Sequence, residues 1–417
     1  MSGAEPTGMT QRAAEDFLLL NPGPVGLTDE VRAAMDAPMV SHRSAAFEGT
    51  YERAQRGLDR VFTGSTLDGR RTAEGGTSLI LNGTATMGME AAVANFVSGD
   101  EEVVALVNGK FGRRFARIAE RYAEVKRIEV EWGRSFDLDA VDEAVTDETA
   151  LVTMVHNETS TGVLNPVFAV GEIVEGSDAL FVVDGVTSLG GDVFCIDDWG
   201  VDAAITDAQK ALAAPPGISA MYVTDRAAAR VESERAPFYA DLEKHLRKAA
   251  DFQTPFTSAV PLFRALAVAV EDIEEEGLPE RIRRHRRQAT VFREGFAAMG
   301  LEGFPETTDL TVRSNTVTAT ALPDRIEPAE FFDAVEARNV SLSGGQAHLG
   351  GEIFRVSNMG NLAAEDVLRG VRVVGEAMAE AGASVDTDAG LDAAREVLAS
   401  GHSDPERDAT SIEAAGE

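Results

Sequence analysis

Short apolar runs, separated by polar turns and by stretches with helical spacing, organise the first two thirds of the chain. Each run has about the length of a buried strand, and apolar residues on both faces are typical of parallel strands covered by helices. The runs are Leu79–Leu81, Glu102–Val107, Leu151–Val155, Ala179–Val183 and Val201–Ile205. Because such runs alternate with helical segments, the pattern predicts an α/β domain with a mostly parallel central sheet.

The pattern changes after about residue 285. Strand-like stretches at 316–319 and Ile353–Val356, with a helical stretch near 328–338, predict a smaller C-terminal α+β domain. We therefore predict a flexible N-terminal arm (1–16), a large domain (17–284), a small domain (285–380) and an acidic, partly disordered tail (381–417).

Polar residues follow three of the predicted strands directly. Asp184 ends the run 179–183, Lys210 comes shortly after the run 201–205, and a polar segment, 156–162, follows Val155. In open α/β sheets, ligands bind just beyond the carboxyl ends of the strands. We therefore expect these side chains to line a binding site.

Lys210 and Asp184 together suit one kind of chemistry. A lysine amine can form a Schiff base with a carbonyl, and a carboxylate can pair with a protonated pyridine nitrogen; proteins anchor pyridoxal phosphate in this way. Lysine is rare in this chain, and Lys210 lies among small apolar residues, which suggests a task that arginine cannot perform. An ordinary strand-end acid beside a surface lysine is the alternative interpretation.

A second anion-binding feature precedes the helical segment 87–96. Asn82–Thr86 forms a small-residue turn between a strand and this helix, and the free N–H groups and positive dipole end of a helix start favour phosphate. Thr84 and Thr86 can add hydroxyl donors. A plain capped helix start explains the same residues.

Several stretches resemble the class V aminotransferases, in that family's order. They are Asn21–Pro24, GTATMGMEAA at 83–92, HNETSTGVLNP at 156–166, and VDGVTSLGG with DAQKALAAPPG between 183 and 217. The nearest branch contains the alanine–glyoxylate and serine–pyruvate aminotransferases, and the resemblance covers about residues 17–380. It implies an aspartate-aminotransferase-like fold, pyridoxal 5'-phosphate as cofactor, and a homodimer with shared active sites.

The resemblance also implies roles for individual residues. Lys210 would carry the Schiff base and move the substrate proton, and Asp184 would hold the pyridine nitrogen protonated. The remaining cofactor contacts would be Thr84, Ala85 and Gln209 at the phosphate, Thr86 and Phe111 beside the ring, Thr159 at the ring hydroxyl oxygen, and Thr254 at the phosphate across the dimer interface. Thr86 departs from the aromatic or histidine of many relatives, and Asp251 replaces a tyrosine often found near Thr254.

For the substrate, the family places the backbone of Gly23 near the α-carboxylate and uses the arginine matching Arg355 to clamp it. The implied reaction is ping-pong transfer of an amino group between alanine or serine and a 2-oxo acid, glyoxylate or pyruvate. The alternative is a phosphoserine or aspartate aminotransferase, because His42 and Arg43 resemble a pair that holds the substrate phosphate in phosphoserine aminotransferases. One sequence does not decide between these substrates.

The balance of acidic and basic residues limits the classes of partner that the protein is expected to bind. The sequence has 70 Asp and Glu against 38 Lys and Arg, a formal net charge of −32. Such a surface repels nucleic acids and anionic membranes, and it is typical of a protein solvated in high salt. We therefore predict a halophilic, cytoplasmic enzyme of small molecules, and interpret the arginine-rich segment 281–287 as a solvated helix face or salt-bridge belt rather than a nucleic-acid site.

The single cysteine, Cys195, lies in an apolar run. It excludes an intrachain disulfide, and a buried thiol there argues against a cysteine desulfurase, which needs a reactive thiol on a flexible loop. The sequence also predicts no signal peptide, because no basic segment followed by an apolar stretch opens the chain, and no run approaches the length of a membrane span.

Overall fold

The computed structural model describes residues 17–231, 236–308 and 310–400. The predicted arm 1–16 and the last part of the predicted tail, 401–417, lie outside the described residues. In the part of the chain that is described, no helix is both long and apolar enough to cross a membrane.

Strands and helices alternate through most of the chain. The strands are β1 (Leu18–Leu19), β2 (Thr77–Asn82), β3 (Glu102–Val107), β4 (Glu124–Glu129), β5 (Thr149–Val155), β6 (Asn157–Glu158), β7 (Val163–Leu164), β8 (Leu180–Asp184), β9 (Ala203–Asp207), β10 (Ile218–Val223), β11 (Gly303–Phe304), β12 (Val312–Arg313), β13 (Val317–Ala321), β14 (Val340–Ser341), β15 (Ser343–Gly344) and β16 (Ile353–Ser357). The helices are α1 (Asp29–Asp36), α2 (Ala45–Gly64), α3 (Ala85–Phe96), α4 (Lys110–Ala119), α5 (Leu138–Ala144), α6 (Val167–Glu175), α7 (Asp225–Arg230), α8 (Leu242–Ala249), α9 (Val260–Glu276), α10 (Leu278–Ala298), α11 (Pro328–Glu336), α12 (Ala364–Glu380) and α13 (Thr387–Ser400).

A seven-stranded sheet in the order β2-β10-β9-β8-β5-β3-β4 forms the centre of the larger part of the molecule. β10 runs antiparallel to both of its neighbours, and the other neighbouring pairs are parallel. β5 and β8 are buried along their whole length, because helices cover both faces, whereas the edge strand β4 alternates with exposed positions. The predicted mostly parallel α/β sheet is confirmed.

A smaller antiparallel sheet, in the order β11-β13-β16-β15, follows in the chain. Its core contains Phe292 of α10, Phe331 of α11, Phe354 of β16 and Val371 of α12, so helices cover the sheet as the α+β prediction expects. The same core includes Leu18 and Leu20, because β1 pairs in parallel with β14. The segment that opens the predicted large domain thus packs on the second core.

Helix α10 joins the two cores. Ile282 near its start belongs to the large core, and Phe292 further along belongs to the second. Helix α13 lies within the predicted tail and packs against α10, where Gly390 approaches Gly295 so closely that a Cβ at 390 would lie 2.8 Å from the Gly295 carbonyl oxygen. This part of the tail is therefore an ordered helix.

Candidate active site

Asp184 and Lys210 lie at the carboxyl edge of the central sheet. Asp184 is the last residue of β8, and Lys210 follows β9, the parallel neighbour of β8. Asp184 is 3% exposed, and its Oδ1 accepts a hydrogen bond of 2.8 Å from the Val186 N–H. Burial raises the pKa of Asp184 to about 7, and the charges of Glu158 and Asp207 act in the same direction. A cation beside this carboxylate would restore its ionised form.

The Lys210 amine faces the loop that contains Gly23. Its Nζ donates a hydrogen bond to the carbonyl oxygen of Pro22. Gly23 has φ +93°, and a Cβ at this position would lie 2.6 Å from Lys210 Nζ, so only glycine fits between the loop and the amine. Burial lowers the pKa of Lys210, partly opposed by the charges of Asp207 and Asp184. A lowered pKa suits an amine that must act as nucleophile and base.

Helix α3 begins directly after β2, and the Ala85 N–H in its first turn is hydrogen-bonded to Asp207. Thr84 is the N-cap residue, but its side chain accepts no capping hydrogen bond, and Ala85 is buried in the first turn. Gln209 Nε2 donates to Asp207 Oδ2 at 2.7 Å, while the buried Gln209 Oε1 has no hydrogen-bond partner among the described residues. The helix start and Gln209 thus leave polar groups free for a ligand.

Thr86 and Phe111 are linked by an arginine that the sequence analysis did not identify. Arg114 Nη1 donates to Thr86 Oγ1 at 3.0 Å, and its guanidinium carbon lies 4.8 Å from the centroid of the Phe111 ring. Phe111 and Arg114 are three apart on α4 and therefore share a helix face. The spacing could have predicted that Arg114 lies beside Phe111, but nothing in the sequence indicated that this helix face contacts Thr86.

Thr159 and His156 occupy the turn after β5. Thr159 Oγ1 lies 3.0 Å from Thr187 Oγ1 and is buried with it. His156 Nδ1 is hydrogen-bonded to Ser188 Oγ at 2.9 Å, and burial lowers the pKa of His156 to about 4. The imidazole is therefore neutral at neutral pH and packs edge-on against Phe194.

Arg355 lies at the centre of β16, 3% exposed. Its Nη1 donates to the Thr159 carbonyl oxygen at 2.8 Å, and its Nη2 donates to the Gly344 carbonyl oxygen at the same distance. Within the described ranges the guanidinium forms no ion pair with a carboxylate, and burial lowers its pKa to about 10. A desolvated arginine without an internal counter-ion is suited to bind an anionic ligand.

Arg43 and Thr254 contact each other rather than the residues around Lys210. Arg43 is exposed, and its Nη1 donates to the Thr254 carbonyl oxygen at 2.7 Å and to Gln253 Oε1 at 3.0 Å. Thr254 Oγ1 donates to the Phe256 carbonyl oxygen at 2.7 Å. His42 is half-buried next to Arg43. Among the described residues, no hydrogen bond joins this group to the other predicted site residues.

Glu158 is a further buried carboxylate that the sequence analysis did not identify as a site residue. Both of its oxygens accept hydrogen bonds from backbone N–H groups, including that of Gly112 at 3.0 Å. It lies in the polar segment 156–162, so its position was predicted although its partners were not.

The arginine-rich segment 281–287 forms internal ion pairs. Arg281 and Arg284 both bind Glu276, and Arg286 binds the buried Asp192. Of the two predicted alternatives, these ion pairs agree with a salt-bridge belt, whereas a solvated helix face is wrong for Arg281, which is 1% exposed. Cys195 is buried, and burial raises the pKa of its thiol to about 12, as expected for an unreactive packed cysteine.

Comparison with known proteins identifies the class to which this fold and site belong. The family model for class-V aminotransferases matches residues 75–367, so the chain belongs to the class V aminotransferases. It is 38% identical to an uncharacterized aminotransferase of Methanocaldococcus jannaschii, covering 91% of this chain and 97% of that protein. It is 30% identical to the L-aspartate–glyoxylate aminotransferase of Paracoccus denitrificans, covering 90% and 94%.

A solved structure confirms the fold. The crystal structure of ureidoglycine–glyoxylate aminotransferase from Bacillus subtilis superposes with a TM-score of 0.84 at 29% identity, covering 92% of this chain and 98% of that chain. The chain is therefore a pyridoxal-phosphate-dependent transaminase of the aspartate-aminotransferase-like fold.

The residues present fit this cofactor. The start of α3, where the N-cap side chain makes no capping hydrogen bond, suits its phosphate through the Thr84 hydroxyl and helix N–H groups. Gln209 could bind the phosphate only through its Nε2 donor, because its Oε1 is an acceptor. Buried Asp184, with its raised pKa, suits a protonated pyridine nitrogen, and Lys210, with its lowered pKa, suits a covalent link to an aldehyde.

Proposed function

We propose that this enzyme moves an amino group between a small amino acid, alanine or serine, and a 2-oxo acid, glyoxylate or pyruvate, by a ping-pong mechanism. The observation that carries the proposal is the grouping of three side chains beyond the central strands: Asp184 ends β8, Lys210 follows its parallel neighbour β9, and Arg355 donates to the Thr159 carbonyl oxygen in the segment after β5. Related proteins are named serine–glyoxylate and (S)-ureidoglycine–glyoxylate transaminases, which supports glyoxylate as acceptor.

Lys210 and Asp184 would be the two catalytic residues. When bound, pyridoxal phosphate withdraws electrons from the α-carbon of the substrate. Lys210 Nζ would hold the cofactor in the resting enzyme and then take and return the α-proton, a role that its lowered pKa supports. Asp184 would keep the pyridine nitrogen protonated. Thr84, Ala85 and Gln209 would bind the phosphate, and Thr86, Phe111 and Thr159 would hold the ring.

Arg355 would bind the α-carboxylate of every substrate. Its Nη1 and Nη2 donate hydrogen bonds to the backbone carbonyl oxygens of Thr159 and Gly344, and these two bonds fix the plane of the guanidinium. A planar fork held in this way can bind a carboxylate through two parallel hydrogen bonds. Gly23, beside the Lys210 amine, would let its backbone approach the same carboxylate.

We also propose a homodimer in which Thr254 reaches the phosphate of the partner's site. The segment 251–257 contains the half-buried Phe256, which packs against two exposed aromatic residues, Phe238 and Tyr239. Phe238 and Tyr239 are 75% and 47% exposed, and their ring centroids lie 5.6 and 5.0 Å from that of Phe256. Exposed aromatic clusters of this kind are enriched at protein interfaces.

The second candidate is a phosphoserine or aspartate aminotransferase in which His42 and Arg43 bind the second anionic group. One relative at 30% identity is named for aspartate as donor, which supports this candidate. Against it, within the described part of the chain the Arg43 guanidinium donates its hydrogen bonds to residues 253–256. We further propose that the enzyme is halophilic and cytoplasmic, because a net charge of −32 needs screening and its one thiol is buried.

The visible spectrum of the purified enzyme in high salt tests the proposal. The cofactor bound to Lys210 should absorb in the visible range, and alanine or serine should bleach that band. Lys210→Ala should lower transaminase activity by about 10⁴-fold or more, because one residue both binds the cofactor and moves the proton. Lys126→Ala is the matched control, since Lys126 Nζ also donates to a backbone carbonyl, that of Ala144.

Two results would contradict the proposal. Full activity of Lys210→Ala would exclude the catalytic assignment. Bleaching by phosphoserine or aspartate alone, with none by alanine or serine, would replace the first candidate with the second.

A further inference from the structure

Glu158 is a fully buried carboxylate with a complete set of hydrogen-bond donors. Its relative exposure is 0%, and it accepts hydrogen bonds from the N–H groups of Phe111 at 3.1 Å, Gly112 at 3.0 Å and Ser160 at 3.1 Å. The hydroxyl of Ser160 donates at 2.5 Å. A buried carboxylate is tolerated only with such compensation, and the N-terminal end of α4 adds a favourable dipole.

These hydrogen bonds join two elements that carry proposed site residues. The N–H donors of Phe111 and Gly112 belong to the first turn of α4, where the Phe111 ring packs against Arg114. The Ser160 donors belong to the turn after β6, which also presents the Thr159 carbonyl oxygen to Arg355. One carboxylate therefore fixes the ring-side helix relative to the turn that orients the arginine.

The surroundings leave no room for Glu158 to move. A Cβ at Gly109, the N-cap residue of α4, would lie 2.3 Å from the Glu158 carboxyl carbon, so the helix start can approach only because residue 109 is glycine. The Glu158 carbonyl oxygen also accepts the Gly162 N–H at 2.9 Å, which closes the turn.

Glu158 also places a carboxylate near Arg355 without forming an ion pair with it. Burial raises the pKa of Glu158, opposed by its hydrogen bonds with Ser160, Gly112 and Phe111. The ionised carboxylate favours the protonated Arg355 guanidinium, yet the two groups form no ion pair within the described residues. Because α4 and Ser160 occupy the carboxylate, Glu158 takes no N–H group of Arg355, and the second N–H of Nη1 and of Nη2 stays available to a ligand beside the bonds to Thr159 and Gly344.

We infer that Glu158 is a positioning residue that holds Arg355, through Thr159, and Phe111 in the arrangement that binds the substrate carboxylate. This inference rests on the proposed role of Arg355. It predicts that disturbing Glu158 weakens carboxylate binding more than it slows the chemical step.

The test compares Glu158→Gln and Glu158→Asp as holoenzymes in high salt. Gln keeps the shape but places an amide where donors already point, and Asp keeps the charge but is too short to reach α4. Both should raise KM for pyruvate about ten- to a hundredfold while kcat changes less, because displacement of a binding group weakens its interactions. The inhibition constant of propionate, a carboxylate that cannot react, should rise by the same factor.

Asp202→Asn is the matched control. Asp202 is also a buried carboxylate that accepts a backbone N–H, that of Phe181 at 2.8 Å, but it precedes β9 and lies at the opposite edge of the sheet. The Asp202→Asn variant should lower Tm as the Glu158 variants do, but it should leave KM for pyruvate and the inhibition constant of propionate unchanged. Ser160→Ala, which removes the hydroxyl donor to Glu158 and the acceptor of the Lys110 N–H at 2.9 Å, gives a milder change in the same direction if the Glu158 variants fold poorly.

Two outcomes would overturn the inference. Tighter propionate binding in Glu158→Gln would mean that Glu158 is only a neighbouring negative charge that opposes the ligand. A lower Tm with unchanged KM would mean that Glu158 serves stability alone. Arg355→Gln separates these failures from failure of the proposed function, because it should raise KM even if Glu158 has no positioning role.

Discussion

Arg355 and Arg43 were both predicted to bind an anionic group of the substrate, but the structure gives them different surroundings. Arg355 is 3% exposed at the centre of β16 and donates to the Thr159 and Gly344 carbonyls. Arg43 is exposed before α2, and its donors go to the segment 253–256. One arginine is desolvated beside the proposed cofactor site, and the other holds a surface loop.

The difference supports Arg355 rather than Arg43 as the proposed anion site. Removing a guanidinium from water costs several kcal/mol unless a partner compensates, so a buried arginine without a carboxylate partner is stabilised by an anionic ligand. An exposed arginine is already solvated and gains little from a further anion. The residue type was the same at both positions, and the surrounding packing made the difference.

Among the changes that bear on this comparison, Arg355→Gln has the largest expected effect. It should lower kcat/KM for alanine, serine and pyruvate together by about 10²- to 10³-fold, because every substrate carries the carboxylate that loses its partner. Steady-state kinetics with each substrate measures this. Arg355→Lys should be intermediate, because it keeps the charge and loses the planar fork. Equal kinetics for wild type and Arg355→Gln would show that the carboxylate binds elsewhere.

The next largest effect should come from salt, which should act strongly on the exposed carboxylates and weakly on the buried Arg355. Lowering KCl from about 3 M to about 0.1 M lengthens the screening distance from under about 3 Å to about 10 Å, so repulsion among exposed carboxylates grows. Tm should fall steeply, whereas KM of the protein that remains folded should change less, because Arg355 is buried. Thermal melts and kinetics over a KCl series measure both. Retention of fold and activity without added salt would refute the halophilic proposal.

Much of the fold was predictable because burial on both faces leaves a strong local signal. The strand Glu102–Val107 has the predicted bounds, and β5, β8 and β9 lie within about two residues of theirs. β10 was missed, since the prolines and glycine before it suggested only a turn, and its antiparallel pairing depends on distant strands. Helix α13 was assigned to a tail, because its few buried residues match α10 only in the folded protein.

The positions of the proposed site residues were predictable where they depend on the end of a strand. Asp184 and Lys210 follow neighbouring parallel strands, so their meeting at one edge follows from the pattern. Glu158 and Arg114 were missed because their importance lies in their partners, which come from elements distant in sequence. The spacing of residues can place a side chain at an edge, but hydrogen-bond partners across elements depend on tertiary packing.

The smallest expected effect is that of Arg43→Ala, and it bears directly on the comparison. With alanine and pyruvate, kcat/KM should fall less than about tenfold, because Arg43 acts only by holding residues 253–256, through hydrogen bonds worth about 1 kcal/mol each. Arg32→Ala is the matched control, an exposed arginine that donates to the Leu27 carbonyl at 3.0 Å. Kinetics and dimer dissociation measured together should show a weaker dimer for Arg43→Ala alone. If Arg43→Ala lost activity only with phosphoserine or aspartate, Arg43 would instead bind a second anionic group of the substrate. Both arginines would then bind anions despite their different surroundings.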